Sequence, residues 1–315
     1  MQKKLALLFP GQGSQVVGMG KDFYQNFKES SLVFEEASDS IRVNLKKLCF
    51  DGPLDALTLT ENLQPALFTV EAAMLAALRA HTDLQVMVAA GHSLGEYSAI
   101  HACGSLGVSE GARLTRLRGS AMQRAVPPGQ GTMAAILGLD ENRIQNLCKK
   151  ASQETSGEIV EPANFNAPGQ VVIAGSVDGV QKAADLLKSE PEFKGGKSIP
   201  LQVSAPFHCS LMKPAQKEMA APLGSTKFQR PDFAVIPNVT ATPTDSELSF
   251  AGLLTDQITQ PVRWEQSMGV LRRLGVELAL EIGPGKVLTG LHKRIDREMQ
   301  VISISSVEIL KEAFK

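Results

Sequence analysis

The chain has 315 residues, of which 43% are hydrophobic and 21% are charged, as in an ordinary globular protein. Its formal net charge of −1 gives no case for nucleic-acid binding, and no apolar run approaches the roughly 18 residues of a membrane span. The cysteines are scattered and lack the spacing of a metal site, so we expect free thiols in a reducing cytoplasm. The apolar run near the N-terminus is too short for a signal peptide.

The first part of the chain alternates strand and helix patterns, which is typical of an α/β fold. The predicted elements, in order, are a strand at 5–9, a glycine-rich turn at 10–13, helices over 21–48 and 64–80, a strand at 84–90 and a helix over 96–102. Ser109 is then predicted to cap a helix that runs to about Ala125 and stops at Pro127 and Pro128.

The next stretch has a different order of elements. The predicted elements are a strand at 132–137, a helix over 141–151 with Asp140 as N-cap, strands at 158–163 and 171–174 around a turn at 166–169, a helix over 180–188 and a strand at 197–203. This βαββαβ order is typical of a ferredoxin-like unit. We therefore expect a ferredoxin-like subdomain at 127–204, inserted between the two parts of an α/β core, 1–126 and 205–315. Further core strands are predicted at 232–237 and 278–282.

The most informative motif is Gly91-His92-Ser93-Leu94-Gly95, which lies between a predicted strand and a predicted helix. A serine at the apex of such a turn has its Oγ exposed, and the N–H of Leu94 points to where an oxyanion would form. Glycines on both sides allow the chain to turn sharply. A plain structural turn is the alternative, but the strand and helix context favours a nucleophile.

A serine nucleophile needs a base, and the chain has five histidines. They are His81, His92, His101, His208 and His292. His208 is favoured because it follows the strand at 197–203 in a proline-bearing loop, where catalytic residues are commonly presented. A buried structural histidine is the alternative. We expect His92 to point away from Ser93, His101 to have a core or surface role, and the other two to be solvated.

A catalytic triad would also need a group that orients the imidazole of His208. The downstream carboxylates are Asp232, Asp256 and Glu281, and none has a local pattern that favours it. A backbone carbonyl can also hold the imidazole tautomer, so the interpretation does not require an acid.

Arg118 falls on the apolar face of the helix that precedes Pro127. The residues that define this face are Leu114, Leu117, Ala121, Met122 and Ala125. An arginine that faces the core needs an anionic partner. That partner is either a carboxylate of the protein or a carboxylate of the substrate, which the guanidinium would bind through two hydrogen bonds.

The first strand is followed by Gly11-Gln12-Gly13-Ser14-Gln15. The third glycine of a dinucleotide-binding motif would fall at Val16, so that interpretation is weak. A glycine turn at a strand end can instead supply a backbone N–H to an oxyanion hole. A plain tight turn is the alternative.

Together these motifs resemble those of the malonyl-CoA:acyl carrier protein transacylases of bacterial fatty acid synthesis, and the resemblance runs essentially end to end. The segments that carry it are 9–15, 91–97, 118–119 followed by Met122, 164–175, 205–209, 238–240 and 281–288. The resemblance implies a hydrolase-like α/β core with an inserted ferredoxin-like subdomain. It also implies that Ser93 is the nucleophile, His208 the base, and the backbone carbonyl of Gln257 the group that orients the base. The oxyanion-hole N–H groups would belong to Gln12 and Leu94.

On the substrate side, the resemblance assigns the malonyl carboxylate to Arg118, with Met122 and Phe207 near the acyl group. Stand-alone relatives often have serine in place of Phe207. In related polyketide domains a phenylalanine there accompanies malonyl preference, because its bulk would crowd an α-methyl group. We therefore expect a preference for malonyl over methylmalonyl.

The implied activity is the transfer of a malonyl group from malonyl-CoA to the phosphopantetheine thiol of acyl carrier protein, through a covalent malonyl-serine. The resemblance implies no metal or bound cofactor, no membrane or nucleic-acid partner, a monomer, and a cytoplasmic location. Carrier proteins of this pathway are acidic, so a basic rim is expected. Lys286, Lys293 and Arg294 are candidates for it, and ordinary solvated charge is the alternative.

Two other functions stay open at this point. A serine thioesterase or esterase would use the same nucleophile and base but pass the acyl group to water. Arg118 on an apolar face favours a dicarboxylic acyl group over a plain ester. A non-catalytic module that binds carrier protein is the other alternative, and the intact set of Ser93, His208 and Arg118 argues against it.

Overall fold

The computed structural model describes residues 4–203 and 205–314. The strands are β1 (Leu5–Phe9), β2 (Val86–Gly91), β3 (Gly131–Leu137), β4 (Val160–Ala167), β5 (Gln170–Ser176), β6 (Lys197–Pro200), β7 (Ala234–Ile236), β8 (Leu278–Ile282) and β9 (Gln300–Ile304). The helices are α1 (Lys21–Asn26), α2 (Lys28–Ile41), α3 (Leu45–Asp51), α4 (Leu54–Thr58), α5 (Thr60–His81), α6 (Gly95–Ala102), α7 (Val108–Arg124), α8 (Glu141–Glu154), α9 (Val177–Ser189), α10 (Lys213–Ser225), α11 (Glu247–Gln257), α12 (Trp264–Arg273), α13 (Val287–Ile295) and α14 (Val307–Ala313). No helix in the described part of the chain is long and apolar enough to cross a bilayer.

The larger sheet is parallel, with the strand order β7-β2-β1-β8-β9. Its central strand, β1, is buried along its whole length. Leu7 and Phe9 pack into an apolar cluster with α2, α5 and α7, whereas Ala6 and Leu8 pack into another with α12 and α13. Because both faces are covered by helices, β1 has an uninterrupted apolar sequence. The loops after β1 and β2 lie at the carboxyl end of the sheet, where open α/β sheets bind ligands.

The smaller sheet is antiparallel, with the strand order β4-β5-β3-β6. β4 and β5 form a hairpin whose turn contains Gly169 with a positive φ of 68°, a backbone that suits glycine. Helices α8 and α9 enclose a separate apolar cluster that includes Ile136, Leu147, Ile173 and Leu186. The order β3-α8-β4-β5-α9-β6 matches the predicted βαββαβ pattern. The domain boundaries at 127 and 204 stay a prediction, and Ser204 lies outside the described residues.

The prediction of helical segments over 21–48 is confirmed, and the structure divides this stretch into α1, α2 and α3. Phe27 has an extended backbone between α1 and α2, and Arg42 ends α2 with a positive φ of 54°. Neither residue is a glycine or a proline, so the usual sequence signals for a break are missing.

The two predicted helix caps have different outcomes. Asp140 is confirmed as the N-cap of α8, since its side chain accepts the N–H of Arg143 at 2.9 Å. Ser109 is not the cap of α7, because Gly107 holds that position with an extended backbone. Ser109 lies in the first turn, and its N–H and its hydroxyl both donate to Glu36 of α2, at 3.0 and 2.8 Å. A carboxylate from another helix therefore satisfies a helix end that a serine was expected to cap.

Candidate active site

Ser93 lies in the sharp turn between β2 and α6, with a positive φ of 53°. Such a backbone is uncommon for a residue other than glycine and persists only where the surroundings fix it. The flanking glycines permit the turn. A Cβ on Gly91 would overlap the backbone of Gly95, and a Cβ on Gly95 would overlap the carbonyl oxygen of Phe9. This turn of residues 91–95, here called the elbow, therefore lies directly against the end of β1.

His208 lies beside this serine. Its Nε2 is 2.7 Å from Ser93 Oγ, and its Nδ1 is 2.8 Å from the main-chain oxygen of Gln257. Because that carbonyl can only accept, Nδ1 carries the proton and Nε2 is free to accept one from the serine hydroxyl. Burial, followed by the nearby Arg118 cation, lowers the pKa of His208 to about 3. The imidazole is therefore neutral at neutral pH, which is the form that can take up a proton.

The carboxylates considered from the sequence lie elsewhere. Glu281 is buried and accepts the first N–H groups of α13. Asp256 is exposed, and Asp232 lies beside Gly104. The partner of His208 Nδ1 is instead the main-chain oxygen of Gln257.

The remaining histidines have other partners. The Nε2 of His92 is 2.8 Å from the side-chain oxygen of Asn166, and the Nδ1 of His101 is 2.7 Å from a main-chain oxygen. His81 is exposed, as expected. The prediction that His292 is solvated is wrong, since it is only 3% exposed. Its ring lies on the inner face of α13, while the charged residues that follow it in sequence are exposed.

Arg118 lies on the inner face of α7 and is only 1% exposed, as the helical pattern predicted. Its Nη1 donates to Gln64 Oε1 at 2.8 Å. Its Nη2 donates to Gln257 Oε1 at 2.8 Å and to Ser93 Oγ at 3.1 Å. The neighbouring Leu117 was wrongly assigned to the same apolar face, since it is 44% exposed.

The direct partners of Arg118 are two amides and a hydroxyl, all of them neutral. Among the described residues, no carboxylate lies within ion-pair distance of its guanidinium. Burial lowers the pKa of Arg118, and the nearby Tyr97 and Glu96 act in the opposite direction. A buried cation with neutral partners is suited to an anion from outside, and a planar guanidinium fits a carboxylate.

Ser93, His208 and Arg118 line a cavity of about 110 Å³ at the carboxyl end of the parallel sheet. The antiparallel sheet supplies part of its wall, so the cavity lies between the two sheets. The other lining residues are Gln12, Gln64, His92, Leu94, Met122, Met133, Asn164, Leu201, Val203 and Phe207. Gln257 alone of the residues assigned by resemblance lies outside the lining, behind His208 and Arg118.

Gln12 and Leu94 border the serine from two different loops. These loops touch, because a Cβ on Gly11 would overlap the main-chain oxygen of His92. Within the described chain, neither the N–H of Gln12 nor that of Leu94 donates a hydrogen bond. Free N–H groups beside a nucleophile are suited to hold an oxyanion.

Sequence reasoning missed three buried polar residues around the site. Gln64 holds Arg118 from α5, where an amide among apolar residues was the available signal. Asn238 Oδ1 accepts the N–H of Ser93 at 2.7 Å. Glu96 Oε2 accepts the N–H of Asn238 at 2.9 Å. The partners of the last two are far away in sequence, so no local pattern indicated them.

Known proteins that resemble this chain agree with the geometry. The acyl transferase domain family matches residues 6–310. The chain is 41% identical over 312 residues to a malonyl CoA-acyl carrier protein transacylase of Bacillus subtilis (strain 168), covering 99% of this chain and 96% of that one. It is 42% identical over 306 residues to the protein of the same name in Haemophilus influenzae, covering 97% and 96%.

Solved structures show the same architecture. An acyl-carrier-protein S-malonyltransferase of Burkholderia pseudomallei superposes with a TM-score of 0.93 at 41% identity, covering 98% of this chain and 99% of that one. A malonyl-transacylase in complex with its type II polyketide acyl-carrier protein gives a TM-score of 0.93 at 40% identity, covering 98% of each chain. With its serine elbow, its histidine held by a carbonyl and its near full-length match, the chain belongs to the acyl transferase domain family.

Proposed function

We propose that this protein transfers a malonyl group from malonyl-CoA to the phosphopantetheine thiol of an acyl carrier protein, with Ser93 as the covalent carrier. The observation that carries the proposal is the buried guanidinium of Arg118. Among the described residues it has no carboxylate partner, and its Nη2 lies 3.1 Å from Ser93 Oγ, the attacking oxygen. A plain esterase would have no use for a cation there, whereas a malonyl group brings a free carboxylate. The names of the relatives support this substrate.

In the first half-reaction, the malonyl carboxylate binds Arg118 and the thioester carbonyl lies against Ser93. His208 Nε2 takes the hydroxyl proton as Oγ attacks the carbonyl carbon. The N–H groups of Gln12 and Leu94 hold the oxyanion, each contributing about 10²–10³ in rate by analogy with measured donors. When the C–S bond breaks, the CoA thiolate takes the proton from His208, and the malonyl ester of Ser93 remains.

The second half-reaction repeats these steps with a different thiol. His208 takes the proton of the phosphopantetheine thiol, whose sulfur attacks the ester carbonyl. The C–O bond to Ser93 breaks, and the serine oxygen recovers the proton from the imidazolium. The main-chain oxygen of Gln257 holds the imidazole in one tautomer throughout. This is a ping-pong mechanism that needs only residues of the chain.

Two side chains in the lining would select the acyl group. Phe207 precedes the base and is buried, so its ring would crowd an α-methyl substituent and favour malonyl over methylmalonyl. Met122 is one turn from Arg118 on α7, and its sulfur lies 3.8 Å from Gln64 Nε2. It therefore packs against the amide that holds the guanidinium.

The remaining parts of the proposal concern partners and location. Lys286, Lys293 and Arg294 are exposed and are the proposed contacts for an acidic carrier protein. The reaction as written uses no metal or bound cofactor, and we propose a monomer in the cytoplasm.

Intact-protein mass spectrometry with malonyl-CoA alone tests this function, with Ser93→Ala as the control. We expect a gain of one malonyl group that is absent in the variant and is discharged by holo-acyl carrier protein. Rapid release of malonate without an adduct would indicate a thioesterase. Neither adduct nor turnover, with tight carrier-protein binding, would indicate a binding module.

A further inference from the structure

Glu96 is a buried carboxylate close to the site that the mechanism above does not use. It lies on the first turn of α6, three residues after Ser93, and is only 1% exposed. Its Oε2 accepts two hydrogen bonds, from the N–H of Asn238 at 2.9 Å and from Gln257 Nε2 at 2.8 Å. Burying a carboxylate costs folding free energy unless hydrogen bonds or a nearby cation compensate for its lost hydration.

The side chain of Gln257 joins this carboxylate to the arginine. Its Nε2 donates to Glu96 Oε2 and to the main-chain oxygen of Ser93, each at 2.8 Å. Its Oε1 accepts the Nη2 of Arg118, also at 2.8 Å. Its main-chain oxygen separately accepts the Nδ1 of His208. One residue therefore holds the base through its backbone and the cation through its amide.

The direction of this amide is fixed by its neighbours. The acceptors of the Gln257 amide N–H groups are all oxygens: Glu96 Oε2 and the main-chain oxygen of Ser93 at 2.8 Å, and Asn238 Oδ1 at 3.3 Å. The carbonyl oxygen is then forced to face Arg118. If the amide turned over, an N–H group would point at the guanidinium and the bond would be lost.

We propose that Glu96 and the side-chain amide of Gln257 form a positioning pair that aims Arg118. This inference rests on the proposed function and deepens it, because the pair would set the preference for dicarboxylic over monocarboxylic acyl groups. An acetyl group has no carboxylate to bind the guanidinium, so its transfer depends less on where the guanidinium lies than malonyl transfer does.

The ratio of kcat/KM for malonyl-CoA to kcat/KM for acetyl-CoA is the measurement that separates this role from a structural one. Glu96 also supports Asn238 and, through it, the elbow of Ser93. A disturbance of the Ser93 turn lowers the transfer of both acyl groups by the same factor, so it leaves the ratio unchanged. A displaced Arg118 guanidinium lowers kcat/KM for malonyl-CoA more than kcat/KM for acetyl-CoA, so the ratio falls.

Gln257→Met is the decisive variant, because it removes the amide at similar volume and keeps the main-chain oxygen that holds His208. We expect the malonyl-to-acetyl ratio to fall about tenfold, the order of one hydrogen bond to a charged group. The acetyl value should fall less than the malonyl value, because loss of the amide also removes its bond to the main-chain oxygen of Ser93. Equal losses for the two acyl groups, or an unchanged ratio, would overturn the proposal.

Glu96 is tested by two substitutions. Glu96→Met removes the acceptor and should lower the ratio as Gln257→Met does, whereas Glu96→Gln keeps an acceptor oxygen and should largely preserve it. In the double variant with Gln257→Met the ratio should fall no further, because Glu96 acts through the amide. If the two substitutions lowered the ratio additively, Glu96 would not act on Arg118 through the Gln257 amide. If Glu96→Met does not fold, Gln257→Met alone decides.

Glu71→Gln is the matched control. Glu71 is another fully buried carboxyl group, on α5, and its side chain faces the hydroxyl of Ser98 and takes no part in the bonds of Gln257 and Arg118. Its replacement should leave the ratio unchanged. Absence of a malonyl adduct in the unaltered protein would defeat the proposed function itself, whereas an adduct with an unchanged ratio in Gln257→Met would defeat only this inference.

Discussion

The hydroxyl of Ser93 has two partners of opposite character. Nε2 of His208, at 2.7 Å, accepts its proton, whereas Nη2 of Arg118, at 3.1 Å, donates to its oxygen. The first bond prepares the oxygen for attack, and the second draws electron density from it. A substrate carboxylate that occupies Arg118 would weaken the second bond. We therefore expect the serine to be most nucleophilic when a dicarboxylic acyl group is bound.

Arg118→Ala tests the role of the cation at this scale. Removing one partner of a buried charge pair should cost about 2–5 kcal/mol in malonyl transfer, and acetyl transfer should fall less or even rise. The comparison of kcat/KM for the two acyl-CoA substrates measures this. Arg116→Ala on the same helix is the control, since that arginine is partly exposed. A similar drop for both acyl groups would make Arg118 a structural residue.

The pH dependence of folding tests the environment of His208. Its pKa in the folded protein is about 3, below the roughly 6.5 of an unfolded histidine. Between these values only the unfolded chain takes up the proton, so stability is complete above the unfolded pKa and falls as the pH is lowered. Going from pH 7.5 to pH 5, His208 should lose about 2 kcal/mol of unfolding free energy.

Urea unfolding at both pH values measures this loss, with His208→Gln as the reference. The unaltered protein should lose about 2 kcal/mol more than the variant. The other buried histidines titrate in both proteins and cancel in the difference. Equal losses would mean that the folded protein holds His208 near its ordinary pKa.

At the scale of secondary-structure elements, the site depends on close contact between β1, β2 and α6. The elbow fits only because glycines at both of its ends leave room for the neighbouring backbone. The loop after β1, which carries Gln12, touches the same turn through Gly11. The proposed nucleophile and the proposed oxyanion donors are therefore positioned by backbone packing.

Gly95→Ala should disrupt this packing, because the added Cβ would overlap the carbonyl oxygen of Phe9 in β1. We expect a loss of about 1–3 kcal/mol in unfolding free energy, typical of an overpacked core, together with a large loss of acylation. Urea unfolding and the rate of adduct formation measure the two effects. Gly224→Ala in α10 is the control, since nothing lies near its added Cβ and stability should hold or rise slightly. Gly95→Ala with unaltered stability would show that β1 can shift away.

Across the whole molecule, the sequence indicated the elements and the reactive serine but few of the long-range contacts. The elbow was predictable because strand, turn and helix are adjacent in sequence. The bond from His208 to the carbonyl of Gln257 spans 49 positions, and that from Asn238 to Glu96 spans 142. Local periodicity contains no information on such pairs, and only the resemblance indicated the first. The burial of His292 was also missed, although its Nε2 lies 3.2 Å from the main-chain oxygen of Met299, only seven residues further along the chain.

The proposed carrier-protein contact belongs to this largest scale. Reversing the charge of Lys286, Lys293 and Arg294 should lower kcat/KM for carrier protein by about threefold per residue, the order of an exposed ion pair. The rate of malonyl-Ser93 formation from malonyl-CoA should stay the same, because that step needs no carrier protein. The difference in kcat/KM between the charge-reversed variants and the unaltered protein should shrink at high salt. Equal slowing of both half-reactions, or none, would place the contact elsewhere.

The short distance between cation and nucleophile also has a consequence for the length of the acyl chain. In a bound malonyl group, a carboxylate oxygen would lie about 2.8 Å from the guanidinium while the thioester carbonyl carbon contacts Ser93 Oγ. Because Arg118 Nη2 and Ser93 Oγ are only 3.1 Å apart, the two ends of the acyl group must lie close together. One methylene between the two groups satisfies this, as in malonyl. A succinyl group has two, so it would have to fold back on itself or release one end. If Arg118 binds the acyl carboxylate as proposed, we therefore expect the cavity to favour a three-carbon diacid over a longer one.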